Sequence, residues 1–191
     1  MPSDIVTTTT NPQITFAMIK ADAIDNGVQG NIIHALRQAG FTVLAMRNTV
    51  VVENDDELIE KFYDDHVDKA YFPDLKAGMR KSVPLILEYT GPAWPEPDNA
   101  VSYLRTFIGS TDSRKADIHT IRGLFGGHLF DENAPMAANA IHASDSYENV
   151  VRDIQLMFPS TFVFNDASGT AVVVSQLHVT KDIPHVQGIS Y

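Results

Sequence analysis

Strand-length and helix-length apolar patterns alternate along residues 14–158, and this alternation constrains the fold more than any other feature of the chain. Ile14-Thr15-Phe16-Ala17-Met18-Ile19 reads as a buried strand. Val28, Ile32, Ile33 and Leu36 then recur at helical spacing up to Gly40, a helix-stop signal. Phe41 to Val52 turns β-rich, and Asp55-Asp56-Glu57 opens an acidic first turn, with Leu58, Ile59 and Phe62 as the apolar face behind it. A second helical stretch runs through Leu75 and Met79, a strand through Val83 to Tyr89, and a helix through Val101, Leu104 and Ile108 to Gly109. Asn139–Ile141 is expected as the last core strand, and a helix from Ser146 to Phe158 comes after it. The order β-α-β-αα-β-α-β-α predicts an α+β fold, the ferredoxin-like split βαβ, with a four-stranded antiparallel sheet.

Breaks in the pattern set the domain limits. Residues 1–13 are polar and Thr-rich and read as a loose tail. Gly91-Pro92-Ala93-Trp94-Pro95-Glu96-Pro97 must be a loop, because closely spaced prolines forbid both helix and ladder. The stretch from Ser110 to Met136 is long, Gly-rich and irregular, the kind of loop that usually carries function. After a domain at 14–159, residues 160–191 form a C-terminal extension. In it Phe162-Val163-Phe164 and Ala171-Val172-Val173-Val174 flank a turn at Asn165–Gly169, a hairpin expected to pack on the domain or on a neighbouring subunit.

The 191 residues are enough to bury a core without staples, and there is no cysteine, which excludes a disulfide scaffold and a thiol nucleophile. Fourteen Lys and Arg against 24 Asp and Glu leave a formal charge of −10, with no basic stripe for a polynucleotide. A mononucleotide needs only a few clustered cations, so that class stays open. The N-terminal residues lack a basic n-region and an apolar h-region, and no apolar run reaches membrane-spanning length; a cytoplasmic protein with no membrane partner is the expectation.

Asn139-Ala140-Ile141-His142-Ala143-Ser144-Asp145-Ser146 puts a histidine where a strand gives way to a helix. Asp145 or Ser146 can cap that helix, and Glu148 is spaced for a capping box. The backbone N–H groups of a helix start favour anionic ligands. The chain has no G-x-x-x-x-G-K-[ST] loop, so bound phosphate must be held by side chains. Lys20, Arg105 and Arg122 are the candidates, with a hydroxyl from Thr111 nearby.

Six motifs in order resemble those of the nucleoside diphosphate kinases over roughly residues 14–158. Thr15–Ala23 is similar to T-x-x-x-x-K-P-D-A, Phe62-Tyr63 to H-Y, and Tyr71-Phe72-Pro73-x-Leu75 to F-F-x-x-L. Arg105-x-x-x-Gly109-x-Thr111 resembles R-x-x-x-G-x-T, Thr120-Ile121-Arg122-Gly123 resembles T-I-R-G, and Asn139–Ser146 resembles N-x-x-H-G-S-D-S. Ala21, Tyr71 and Ala143 depart from the family's proline, phenylalanine and glycine, and Asp153 stands where the family has a glutamate. Two insertions, about five residues around Trp94 and about seven within Gly127–Ala138, remove none of the matched positions.

The resemblance implies a phosphotransferase that moves the terminal phosphate of a nucleoside triphosphate to a nucleoside diphosphate by a ping-pong mechanism. His142 would become phosphorylated, and Asp153 would orient its ring. Lys20, Arg105, Thr111 and Arg122 would hold phosphates, Asn139 the ribose, and Tyr71 with Leu75 the base, while Tyr63 falls on the active-site tyrosine. Mg²⁺ would bridge the phosphates without direct protein ligands. A homo-oligomer, a dimer-based tetramer or hexamer, is the expected assembly. The alternative is a catalytically weak or inactive homologue acting as a nucleotide-binding or assembly module.

Overall fold

The computed structural model describes residues 14–47, 50–51, 56–91, 99–158, 161–165 and 171–175. The expected N-terminal tail, the proline-rich segment around Trp94 and the hairpin turn lie outside these residues. Strand β1 (Ile14–Ile19) leads into α1 (Ala21–Asp25) and α2 (Gln29–Gln38), then β2 (Phe41–Met46) and the two-residue β3 (Val50–Val51). Helices α3 (Asp56–Phe62) and α4 (Phe72–Met79) precede β4 (Lys81–Tyr89) and α5 (Ala100–Ile108). Helix α6 (Ile121–Phe125), β5 (Ile141–Ala143) and α7 (Tyr147–Met157) complete the domain, and β6 (Thr161–Asn165) pairs with β7 (Ala171–Ser175) in a separate hairpin. No helix among the described residues is long and apolar enough to cross a membrane.

The main sheet is antiparallel in the order β2-β4-β1-β5, with β3 continuing the β2 side of β4. This is the four-stranded α+β arrangement expected from the alternation. Strand β1 sits inside the sheet and every one of its residues is buried. Its alternate side chains divide the core in two. Ala17 and Ile19 join Ile32 and Leu36 of α2 and Leu104 and Ile108 of α5 on one face. Phe16 and Met18 join Ile59 and Phe62 of α3, Met79 of α4, and Val150 and Ile154 of α7 on the other. Each fully buried Val, Leu, Ile, Met or Phe among these contributes about 1.5–3 kcal/mol, so both helical layers are firmly held to the sheet.

Three expectations are corrected. The stretch from Ser110 to Met136 is not simply irregular: it holds α6 and two 3₁₀ turns, Ser113–Lys115 and Gly127–Leu129. Thr120 initiates α6, its hydroxyl accepting the Gly123 N–H at 3.2 Å, and Gly and Ser density had masked that short helix. The last core strand runs from Ile141 to Ala143 rather than Asn139 to Ile141, because Ala140 leaves extended geometry at φ +69°. Helix α7 is capped by Ser146 alone, whose Oγ accepts the Asn149 N–H at 3.1 Å, so Glu148 completes no capping box. The short α1 after β1 had no signal of its own, being a single turn of five residues.

Candidate active site

Register decides where His142 points. In the β1–β5 ladder Met18 lies opposite His142, flanked by the pairs Ile19–Ile141 and Ala17–Ala143. Side chains on directly opposed residues share a face, so His142 joins Met18 and Phe16 on the α3/α7 side of the sheet. It therefore sits in the middle of a strand, not at the strand-to-helix junction expected from its neighbours. Its ring is packed against Phe62, centroids 5.1 Å apart, with Phe16 at 6.3 Å and Tyr63 at 6.2 Å.

Helix α7 brings Asp153 to this ring. His142 Nε2 lies 3.5 Å from Asp153 Oδ2, the outer limit of a hydrogen bond, and makes no closer one. Asp153 is 1% exposed and its remaining capacity is filled. Ser144 Oγ donates to Oδ2 at 2.6 Å, and the Arg152 guanidinium donates to Oδ1 at 3.2 and 3.3 Å. Nε2 is fully withdrawn from solvent while 26% of the His142 side chain remains exposed, so the exposed part of the ring lies away from Asp153. Burial pulls the His142 pKa below the ordinary imidazole value, and nearby Lys20 and Arg122 act in the same direction. Asp153 opposes the shift without cancelling it. The lowered pKa favours the neutral form of the ring near pH 7.

The backbone just before His142 is held under strain. The Ile141 N–H donates to the Asn139 carbonyl at 2.8 Å, closing a γ-turn centred on Ala140 at φ +69°. A non-glycine residue in this region costs on the order of 1–3 kcal/mol and persists only when its surroundings enforce it. Here the clamp comes from the residues that end β1. Asp22 Oδ2 accepts the Ala140 N–H at 2.8 Å, and the Ala140 carbonyl accepts the Lys20 N–H at 2.9 Å.

Three cations converge on the same place. Lys20 is 2% exposed; its Nζ donates to the Ala137 carbonyl and, at 3.1 Å, to Asn139 Oδ1. Burial lowers its pKa to about 8, with Asp22 opposing and Arg122 assisting. Arg122 is 5% exposed and braces the backbone, donating to the Ile141 carbonyl from Nε at 3.2 Å and Nη2 at 2.9 Å and to the Gly109 carbonyl from Nη1 at 3.0 Å. Gly109 has φ +87°, and an added Cβ would overlap Thr120, so this acceptor needs glycine. Burial and then the proximity of Arg105 lower the Arg122 pKa to about 10, which still leaves it charged. Arg105 is more exposed and donates to the Ala143 carbonyl at 3.2 Å. Positive groups this close, answered mostly by carbonyls, make a site for a polyanion.

One cleft of about 440 Å³ collects all ten residues singled out in the sequence: Lys20, Tyr63, Tyr71, Leu75, Arg105, Thr111, Arg122, Asn139, His142 and Asp153. Lys20, Asn139 and Arg122 form its floor beside His142. Tyr71, 41% exposed, and Leu75 stand at the mouth with Met136. Thr111 lines the wall and takes the Asn139 Nδ2 hydrogen onto its carbonyl at 2.8 Å. Tyr63 is buried, and burial together with Asp153 pushes its phenol pKa up, so it stays protonated. Sequence reasoning had missed Ser144, Arg152, Asp22 and His66. Ser144 and Asp22 lie inside quoted motifs and Arg152 adjoins Asp153, but none of the three carried a signal of its role. His66 carried none.

Comparisons with known proteins point to one family. The family model described as nucleoside diphosphate kinase matches residues 13–163. The chain is 34% identical over 143 residues to the nucleoside diphosphate kinase of Ignicoccus hospitalis, covering 75% of this chain and 86% of that protein. It is 33% identical over 150 residues to the enzyme of Histophilus somni, covering 78% and 95%. Among solved structures, it resembles the nucleoside diphosphate kinase of Aquifex aeolicus with a TM-score of 0.59 at 31% identity, covering 76% of this chain and 94% of that one. The halophilic enzyme of Halobacterium salinarum, solved in complex with CDP, aligns with a TM-score of 0.61 at 27% identity, covering 78% and 88%.

Proposed function

The chain belongs to the nucleoside diphosphate kinase family, and on that premise we propose that His142 Nδ1 carries the phosphate between a nucleoside triphosphate and a nucleoside diphosphate. The observation that supports this most is an imidazole 3.5 Å from a buried carboxylate in a cleft shared with Lys20, Arg105 and Arg122, with burial lowering its pKa. Nδ1 attacks the terminal phosphorus, the bond to the bridging oxygen breaks, and the diphosphate leaves with that electron pair. Asp153 offsets the charge that grows on the ring through Nε2–H. The three cations take up charge spreading over the transferred oxygens. A second diphosphate then reverses the step.

In this reading Asn139 takes the ribose, Tyr71 with Leu75 the base and Thr111 the phosphates; all four line the cleft, and Tyr63 meets the imidazole edge-on at 6.2 Å. Among the described residues no cluster of histidine and carboxylate side chains could hold a metal ion, and Lys20, Arg105 and Arg122 line the cleft, so Mg²⁺ would enter on the nucleotide phosphates and help to neutralise their charge. We also place the enzyme in the cytoplasm, where its nucleotide substrates are, as a homo-oligomer with residues 160–191 against the domain or a neighbouring subunit. Light scattering of a chain lacking 160–191 tests the last point: a folded protein of unchanged assembly state refutes an interface role. The central test is incubation with ATP labelled on its terminal phosphate. Wild type should retain an acid-labile, base-stable label and His142→Ala none, although the variant still binds nucleotide. Label retained by His142→Ala overturns the assignment.

A further inference from the structure

Tyr71 is a large, 41% exposed aromatic at the mouth of the cleft, yet it is not free to swing. Its hydroxyl and Nδ1 of His66 share a hydrogen bond of 3.0 Å, and the two rings lie 5.8 Å apart, tilted by 55°. His66 belongs to the 3₁₀ turn Asp64–His66 directly after Tyr63. Its ring meets the buried Tyr63 ring edge-on at 6.2 Å, and Tyr63 in turn meets His142 at 6.2 Å. The exposed phenol is therefore tied through one imidazole to the buried aromatic wall behind the reactive histidine.

The geometry points to His66 as a positioning residue for the nucleoside, acting through Tyr71. This rests on the reading that Tyr71 receives the base. A side chain that is half in solvent must be immobilised when a ligand stacks on it, and that ordering weakens binding. The His66 bond orders Tyr71 beforehand. It also occupies the phenol hydroxyl, so the ring offers a π-face to the base while its polar group stays turned to His66. The phosphate end of the cleft, at Lys20, Arg105 and Arg122, makes none of these contacts.

The test separates the base from the phosphates. Affinity for ADP and for inorganic tripolyphosphate is measured by titration calorimetry on the full-length chain and four variants. His66→Leu and Tyr71→Phe should each weaken ADP binding roughly 3- to 10-fold, the scale of one side chain's ordering cost. Neither should change tripolyphosphate binding. The His66→Leu/Tyr71→Phe double variant should be no weaker than either single variant, because both remove the same bond. His66→Asn, whose amide reaches the position of Nδ1, should restore most of the ADP affinity and serves as the test if the leucine variant fails to fold. ADP affinity of His66→Leu within 1.5-fold of wild type, equal weakening of ADP and tripolyphosphate, or additive effects in the double variant would each overturn the assignment. A wild type that binds ADP but forms no phosphoenzyme defeats the proposed reaction and leaves the pair still measurable. A wild type that does not bind ADP defeats both.

Discussion

Replacing Asp153 with asparagine probes the reactive histidine while keeping the side chain's shape. Asp153 is 1% exposed and stands 3.5 Å from His142 Nε2. At that separation, with an effective dielectric constant near 20, a full positive charge on the ring and the carboxylate attract by roughly 4–5 kcal/mol. Arg152, which donates to the other carboxylate oxygen, offsets part of this, and the ring acquires only part of a charge in the transition state. A loss of about 2–4 kcal/mol in the phosphorylation barrier remains, or a rate about 30- to 1,000-fold slower. The amide adds a second effect: its N–H₂ can donate to Nε2, which moves the ring proton onto Nδ1, the atom that must attack. Folding should suffer less, by about 1–3 kcal/mol, because Arg152 keeps Asp64 at 3.2 Å and the Phe62 carbonyl at 3.4 Å. Rapid-quench measurement of phosphohistidine formation at saturating ATP reads the chemical step, and calorimetry with ADP reads binding. A phosphorylation rate within about threefold of wild type, with the protein folded, would refute the electrostatic argument.

Arg105→Ala and Arg122→Ala should each raise the barrier by about 2–4 kcal/mol, as expected when a preorganised charge contact is lost. kcat/KM values within about threefold of wild type for both would show that neither holds the transferred phosphate. Only Arg122→Ala should also lower Tm, since Arg122 alone braces the Ile141 and Gly109 carbonyls from a buried position. With the His142 pKa depressed by burial, the rate of phosphoenzyme formation should show no acid-side loss until the pH falls below about 6.5. The same shift makes the unfolded chain bind the proton first, so the stability His142 contributes is complete above pH about 6.5 and declines as pH falls. An acid limb centred at or above 6.5 in the phosphorylation profile would contradict this.

The elements with long apolar runs were legible at a distance. β1, β4, α5 and α7 each carry enough consecutive pattern to outweigh local ambiguity, and they lie within a residue or two of their expected places. Short elements were not. α1 and α6 have five residues each, too few to show a helical period, and both are held by distant segments packed against them, α4 and β4 for α1 and α2 and α5 for α6. The misplaced start of β5 has a specific cause. Alanine gives no sign of the left-handed conformation that Ala140 adopts, because that conformation is enforced from outside by Asp22, 118 residues earlier.

For the site, side-chain chemistry and ordered motifs were enough to name ten residues that share one cleft, because reactive and cationic groups keep their identity wherever the chain takes them. How those groups are arranged was decided by contacts between distant segments. The β1–β5 register turned His142 toward α7 rather than α5. Burial against Phe16 and Phe62 lowered the ring's pKa, and α7 brought Asp153 to 3.5 Å from Nε2. Ser144 and Arg152 divided the Asp153 oxygens between them, and His66 tied down Tyr71. Composition and periodicity report what each segment tends to form and which groups it carries. Desolvation, register and hydrogen bonds across the sheet exist only once the segments meet, so the environment of His142 is a property of the fold.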